Sequence, residues 1–186
     1  DVTDANGCMT SITVFIDQPL TPLSAVSTSS IVSCNGGSNG TATVVPSGGT
    51  PGYTYLWSDG QTGQPATGLS AGTYSCVITD ANGCQFTESV TVTEPSLALT
   101  ISPTLVTDVI CNGQSNGGAT VFPSGGVAPY LYSWTGPWPG TTVISNTNNI
   151  SSQTAGIYIC NITDNAGCLL PVTVTINEPP VMGFSL

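Results

Sequence analysis

Residues 72–95, GTYSCVITDANGCQFTESVTVTEP, read as two β-strands joined by a tight turn. Tyr74, Cys76 and Ile78 alternate with Thr73, Ser75 and Val77 before the turn, and Val90 and Val92 with Ser89 and Thr91 after it. That period of two places every second side chain on one face of a strand. Asn82-Gly83 between the runs tolerates the positive φ that a type I′ hairpin turn requires. The same order of residues returns at Gly156, Tyr158, Cys160, Asp164, Gly167-Cys168 and Glu178-Pro179. The chain is therefore a tandem array, and one copy defines the fold.

Upstream of these hairpins, Cys34-Asn35-Gly36 of the first copy recurs as Cys111-Asn112-Gly113 of the second. Cys34 to Trp57 and Cys111 to Trp134 both span 23 residues, while Tyr74 to Cys84 and Tyr158 to Cys168 both span 10. Trp57 to Tyr74 spans 17 residues and Trp134 to Tyr158 spans 24, so the second copy carries a seven-residue insertion. Asp4, Gly7, Cys8 and Pro19 match Asp80, Gly83, Cys84 and Pro95. The expected organisation is the end of a preceding repeat over 1–19, repeat 1 over 20–95, repeat 2 over 96–180 with an extended loop near 135–152, and the start of a following repeat at 181–186. A segment of a longer polypeptide is expected. Pro95 and Pro179 cannot continue a ladder, so each repeat should pass almost directly into the next.

No stretch shows apolar residues at helical spacing, and short runs rich in Val, Thr, Ile and Tyr alternate between Gly, Pro and Asn clusters. Strands are expected near 28–33, 41–45, 53–57, 64–67, 73–79 and 85–93. Alternation assigns Ala42, Val44, Tyr53, Tyr55, Trp57, Tyr74, Cys76, Ile78, Val90 and Val92 to the core of the first copy. Ala119, Val121, Tyr130, Tyr132, Trp134, Tyr158, Cys160, Ile162, Val174 and Ile176 take the same places in the second. Six strands in so short a unit suit a small sandwich. Gly72-x-Tyr74-x-Cys76 and Gly156-x-Tyr158-x-Cys160 also resemble the tyrosine corner of immunoglobulin-like sandwiches. The fold class is all-β, in tandem disulfide-stapled sandwiches of that kind.

The chain holds no Lys, Arg or His against ten acids, a formal charge of −10, with only 5% charged residues and 39% hydrophobic ones. Phosphate contacts rely on Lys and Arg, so nucleic acid is excluded as a partner. No apolar run reaches the roughly 20 residues that span a bilayer, so no membrane insertion is expected in these residues. Seven cysteines at repeat-equivalent places in Gly-rich units favour an oxidising, extracellular setting. If the strands run up and down in order, the Cys34 turn and the Cys84 turn share one end. Pairing of Cys34 with Cys84 and of Cys111 with Cys168 is then expected, with Cys8 bonded to a cysteine outside the sequence. The immunoglobulin analogy offers Cys34 with Cys76 as the alternative. Cys76 and Cys160 remain as buried thiols or pair in another way.

Catalysis would have to rest on carboxylates, hydroxyls and thiols. Asp4, Asp80 and Asp164 occupy one repeat position, and Glu94 and Glu178 another, filled by Gln18 in the first fragment. Acids set by a repeating frame are turn and strand-end residues rather than a glycosidase pair, so no catalytic residues are expected. Asx-turn chemistry accounts for Asp80. Asp80 and Glu94 are the candidates for a calcium ion between repeats; no other cofactor is expected, and disulfides are favoured over zinc. Trp138, in Gly136-Pro137-Trp138-Pro139-Gly140 of the inserted loop, fits no core position and is the candidate contact for a ligand or partner chain.

The strings CNGGSNGTATVVPSGGTPGYTYLWSDG and ATGLSAGTYSCVITDANGCQFTESVTVTEP resemble the SprB repeat, a module of very large surface adhesins of gliding and other Bacteroidota. The resemblance implies export to the cell surface, through the type IX system, and a role as a stalk or filament rather than a catalyst. Cys76 and Cys160 depart from it, standing where Thr or Val is expected, as does the insertion. The expected function is a structural or adhesive stalk segment of a surface adhesin. The alternatives are a carbohydrate-binding module using the 135–152 loop and a self-assembling filament subunit. The expected partners are neighbouring repeats, other copies in a filament, and surface glycans.

Overall fold

The computed structural model describes residues 1–14 and 21–183, so Gln18, Pro19 and the last residues of the expected following repeat lie outside the described residues. All its regular elements are strands. A short hairpin of β1 (Val2–Thr3) and β2 (Met9–Thr10) precedes two sandwiches. The first sandwich has β3 (Ser24–Ser29), β4 (Gly40–Ser47), β5 (Thr54–Trp57), β6 (Ala66–Leu69), β7 (Gly72–Thr79) and β8 (Gln85–Val92). Its sheets run β3-β4-β6 and β5-β7-β8, so β4 and β6 pair across an excursion into the other sheet. This crossed order and the tyrosine corner, with Tyr74 Oη donating to Ser70 O at 3.1 Å, make the unit immunoglobulin-like.

The second sandwich repeats the plan with β9 (Thr100–Ile101), β10 (Leu105–Thr107), β11 (Gly117–Thr120), β12 (Pro123–Ser124), β13 (Leu131–Thr135), β14 (Val143–Ser145), β15 (Asn149–Gln153), β16 (Gly156–Thr163) and β17 (Leu169–Ile176). Its first strand is split into β9 and β10 around Pro103, which has no N–H to give a ladder. Residues 135–152 are not one loop. β14 adds a fourth strand to β13-β16-β17, and β15 pairs with β11 as β6 pairs with β4. The indole N–H of Trp57 donates to Gly63 O and that of Trp134 to Thr147 O, both at 2.9 Å, so the insertion ends before Thr147. The extra residues supply the bend and edge strand between these anchors.

The alternating residues form the cores. Ala42, Val44, Trp57, Cys76, Ile78, Val90 and Val92 are buried in the first sandwich, with Tyr53, Tyr55 and Tyr74 packed at its margin. Ala119, Val121, Trp134, Tyr158, Cys160, Ile162, Val174 and Ile176 are buried in the second, with Tyr130 and Tyr132 at the margin. Tyr158 is buried where Tyr74 is not, because the inserted loop lies over it: Trp138 N donates to Ile157 O at 2.7 Å, and a Cβ on Gly136 would stand 2.8 Å from Tyr158 Cδ1.

The first strand lies at 24–29 rather than 28–33. Past Ser29 the chain leaves the ladder, Val32 N donates to Thr93 O at 2.8 Å, and the fully buried Val32 side chain plugs the end of the core. Val32 is buried as a plug while Ile31 beside it is exposed, and the pair gives the same apolar signal as a strand. β3 meets β8 through Ser27 Oγ on Glu88 Oε1 at 2.9 Å and Ser29 Oγ on Thr91 O at 2.8 Å. The residue numbers rise together, so the first and last strands run parallel.

Candidate functional site: two poles and a cysteine joint

Because β3 and β8 are parallel, the loop after β3 lies at the C-terminal end of β8, and the β7–β8 turn lies at the other end. Each repeat therefore has two poles, and its recurring residues sort onto them.

The exit pole joins Cys-Asn-Gly to Glu-Pro. Gly36 sits at φ +75°, a conformation that glycine adopts without strain, and turns its N–H onto Glu94 Oε2 at 2.6 Å. Asn35 Nδ2 donates to Pro95 O at 2.9 Å and to Glu94 Oε1 at 3.3 Å. In the second repeat Gly113 N donates to Glu178 Oε2 at 2.8 Å and Asn112 Nδ2 to Pro179 O at 3.1 Å. A carboxylate accepting a backbone N–H makes a strong charge-assisted bond, which ties the cysteine turn to the point where the chain leaves the repeat.

The entry pole is built on aspartate. Asp80 Oδ1 accepts from Asn82 N at 3.0 Å and Cys84 N at 2.8 Å, and its Oδ2 accepts from Thr50 N at 2.9 Å. Asp164 does the same with Ala166, Cys168 and Val127, each at 2.9 Å. In the first hairpin Asp4 Oδ1 takes Asn6 N at 2.9 Å and Cys8 N at 2.8 Å. The Pro-Ser-Gly-Gly turn closes around this carboxylate. A Cβ on Gly126, at φ +59°, would stand 2.5 Å from Asp164 Oδ2, and one on Gly125 2.0 Å from Ala98 O. Tyr130 Oη donates to Gly125 O at 2.7 Å and so pins the turn from below.

The N–H of Thr50, with those of Cys84 and Asn82, holds the Asp80 carboxyl below the ordinary aspartate value despite burial. Burial pushes Asp164 up, but the N–H groups of Val127, Cys168, Ala166 and Gly167 outweigh it and the net direction is down. A carboxyl lowered on folding contributes stability that is complete above its unfolded value, 3.8, and disappears as pH falls through the folded one. Stability of the second repeat is thus expected to hold from neutral pH to about 4 and to fall below it. Asp164→Asn replaces one accepting oxygen by a donor facing an N–H, so it should lower the urea midpoint at pH 7 and flatten the acid limb below pH 4. An unchanged acid limb in that variant would refute the role given to Asp164.

Cys34 of the first exit pole is bonded to Cys168 of the second entry pole, with Cα atoms 5.7 Å apart and a sequence separation of 134. This replaces both expected pairings: Cys84 and Cys111 are exposed free thiols, as is Cys8. The premise of strands running up and down in order fails because β3 and β8 are parallel, which sends Cys34 and Cys84 to opposite poles. The alternative of Cys34 with Cys76 is not formed either. Cys76 and Cys160 stand in the cores opposite Trp57 and Trp134 in the strand register. Burial pushes both thiols up, Cys160 to about 11, so they behave as small apolar side chains rather than nucleophiles.

Asp80 and Glu94 are not brought together within a repeat. They flank the eight-residue β8, a separation of roughly 27 Å at about 3.4 Å per residue, and backbone N–H groups already occupy both carboxylates. Among the described residues no group of three or more Cys, Asp or Glu is placed to share a metal ion. Trp138 is 67% exposed on a loop tied to Ile157.

The protein is of the class of tandem immunoglobulin-like sandwiches, here closed covalently at the joint. The family model described as the SprB repeat matches residues 26–62 and 104–137, from the first strand through the core tryptophan of each copy. No curated protein matches the sequence. Among solved structures, the three N-terminal domains of the bacteriophage RB49 highly immunogenic outer capsid protein are similar at 22% identity, over 83% of this chain and 58% of that one, with a TM-score of 0.43. The N-terminal eight immunoglobulin domains of Down syndrome cell adhesion molecule isoform 1.30.30 follow at 15% identity, over 88% of this chain and 25% of that one, with a TM-score of 0.42. Murine CEACAM1b is similar at 11% identity, over 75% of this chain and 92% of that one, with a TM-score of 0.34.

Proposed function

We propose that the chain is a non-catalytic structural or adhesive segment of an exported cell-surface protein, in which successive repeats form a stiffened stalk. The observation that carries this reading is the Cys34–Cys168 bond, which closes the joint between two repeats rather than stapling either one. A bond of this kind persists in oxidising surroundings and restrains the angle between domains that a short linker leaves free. The match to the SprB repeat supports an extracellular, structural or adhesive role. The recurring acids support a non-catalytic one, since Asp80, Asp164, Glu94 and Glu178 spend their oxygens on backbone donors that hold turns.

Antibodies raised against the folded chain test the reading on intact cells of the source organism. Labelling without permeabilisation is expected, with loss of the epitope after treatment of whole cells with proteinase K. Labelling that requires permeabilisation would overturn the proposal. Trypsin is no substitute, because the chain has no Lys or Arg for it to cut.

A further inference from the structure

Three cysteines on the surface are left unpaired by the joint: Cys8, Cys84 and Cys111. None is in an arbitrary place. Cys111 occupies in the second exit pole the position of Cys34 in the first, in a turn held by the same clamp: Gly113 on Glu178 and Asn112 on Pro179, as Gly36 is held on Glu94 and Asn35 on Pro95. Cys84 occupies in the first entry pole the position of Cys168, in a hairpin set by the same aspartate bonds, Cys84 N on Asp80 and Cys168 N on Asp164. Cys8 repeats that hairpin once more on Asp4. The independent observation that these positions are made for each other is the joint itself, where the exit cysteine of one repeat and the entry cysteine of the next are already bonded.

We propose that Cys84 and Cys111 each form, with a further copy of this repeat, the disulfide that Cys168 and Cys34 form with each other. The exit cysteine Cys111 takes the entry cysteine of a copy stacked beyond the second repeat, and Cys84 takes the exit cysteine of a copy stacked before the first. Each bond arises by thiol–disulfide exchange. The Cys111 thiolate attacks a small-molecule disulfide such as oxidised glutathione, giving a mixed disulfide and one released thiol. The entry thiolate then displaces the second thiol, so two protons and two electrons pass to the oxidant for each S–S bond formed. Both cysteines are exposed, as this exchange requires, whereas the buried Cys76 and Cys160 take no part.

The order of residues gives the bonds a further property. Cys84 and Cys111 both lie between Cys34 and Cys168 in sequence, while their partners belong to other copies, so successive bonds overlap rather than follow one another. A covalent route along a run of repeats then needs only the 27 residues from Cys84 to Cys111 before a disulfide carries it across the following joint.

The 186-residue chain itself provides the test, since in isolation only another copy of it can supply the partner cysteine. Two variants are made on a Cys8→Ser background, one carrying Cys84→Ser and the other Cys111→Ser. Each is reduced and reoxidised with a glutathione couple, separately and as an equimolar mixture. The mixture is expected to give a covalent heterodimer whose chymotryptic map shows Cys111 of the first variant joined to Cys84 of the second, with Cys34–Cys168 intact in both. Each variant alone should remain at least tenfold poorer in dimer. Equal dimer yields with and without mixing, or a mixture that stays monomeric, would overturn the assignment. Because the readout is only the sulfur linkage, this result stands or falls apart from the surface location proposed above.

Discussion

Pulled from its two ends, the oxidised chain is expected to lengthen by only the residues outside the joint, 1–34 and 168–186, however far the repeats unfold. The Cys34–Cys168 bond short-circuits the segment between its ends, a sequence separation of 134 that includes β4 to β8 of the first repeat and β9 to β16 of the second. Tension passes from residue 34 through two sulfur atoms to residue 168 and never loads those strands. Reduction opens the circuit, and the released segment adds roughly 450 Å of contour length at about 3.3–3.6 Å per extended residue. Single-molecule force spectroscopy reads this directly, as a short final extension in oxidising buffer and a long one with reductant. Cys34→Ser should reproduce the long trace without reductant. Equal contour lengths in the two buffers would mean that the joint is not closed. The length at stake far exceeds the extension available to the oxidised chain, so the bond decides whether this segment behaves as a spring or as a tether.

Much of the fold is visible in residues whose role is local. Alternation in Tyr74-Cys76-Ile78 and its partner at Tyr158-Cys160-Ile162 marks the inner face because burial is set by the strand period, whatever the strand order. The tyrosine corner is equally readable, since Tyr74 and Tyr158 reach the carbonyls of Ser70 and Thr154, four residues upstream. What composition and spacing do not carry is the direction in which non-neighbouring strands pass each other. Cys34 and Cys84 recur at fixed spacing, and spacing alone suits either a staple within a repeat or a bond between repeats. The parallel relation of β3 and β8 separates these possibilities, and it depends on Ser27 and Ser29 meeting Glu88 and Thr91 across sixty residues of chain. A usable signal was present nevertheless. An immunoglobulin-like order, already implied by the tyrosine corner, sends the loop after the first strand and the last hairpin to opposite ends. The roles of Glu94 and Glu178 were half legible for a similar reason. Their place after the last strand marks them as strand-end residues, but the turn each one caps lies 58 or 65 residues upstream.

Trp134→Ala is expected to destabilise the second repeat by about 3–5 kcal/mol, the usual range for truncating a buried aromatic residue in a packed core. Trp134 is fully buried, faces Cys160 across the β13–β16 register, and is the largest side chain in a buried cluster whose other members are Val, Ile, Ala, Cys160 and Tyr158. Its loss leaves a void that the small neighbours cannot fill without moving strands. The indole also has a second task, because its Nε1–H holds Thr147 O at 2.9 Å and so fixes the point where the inserted segment returns to β15. Trp134→Phe separates the two contributions: it keeps most of the buried ring and loses the hydrogen bond, for about 1–2 kcal/mol. A domain of this size has roughly 4–12 kcal/mol in total, so the alanine variant should leave the second repeat marginal or open. Hydrogen exchange resolved by peptide provides the measurement. Protection should collapse across β11, β13, β16 and β17 and persist in β4, β7 and β8, because the two cores share no buried residue. A loss below about 1 kcal/mol would show that the void closes by itself. Equal loss in both repeats would show instead that the joint couples their unfolding, and that the two sandwiches behave as one cooperative unit.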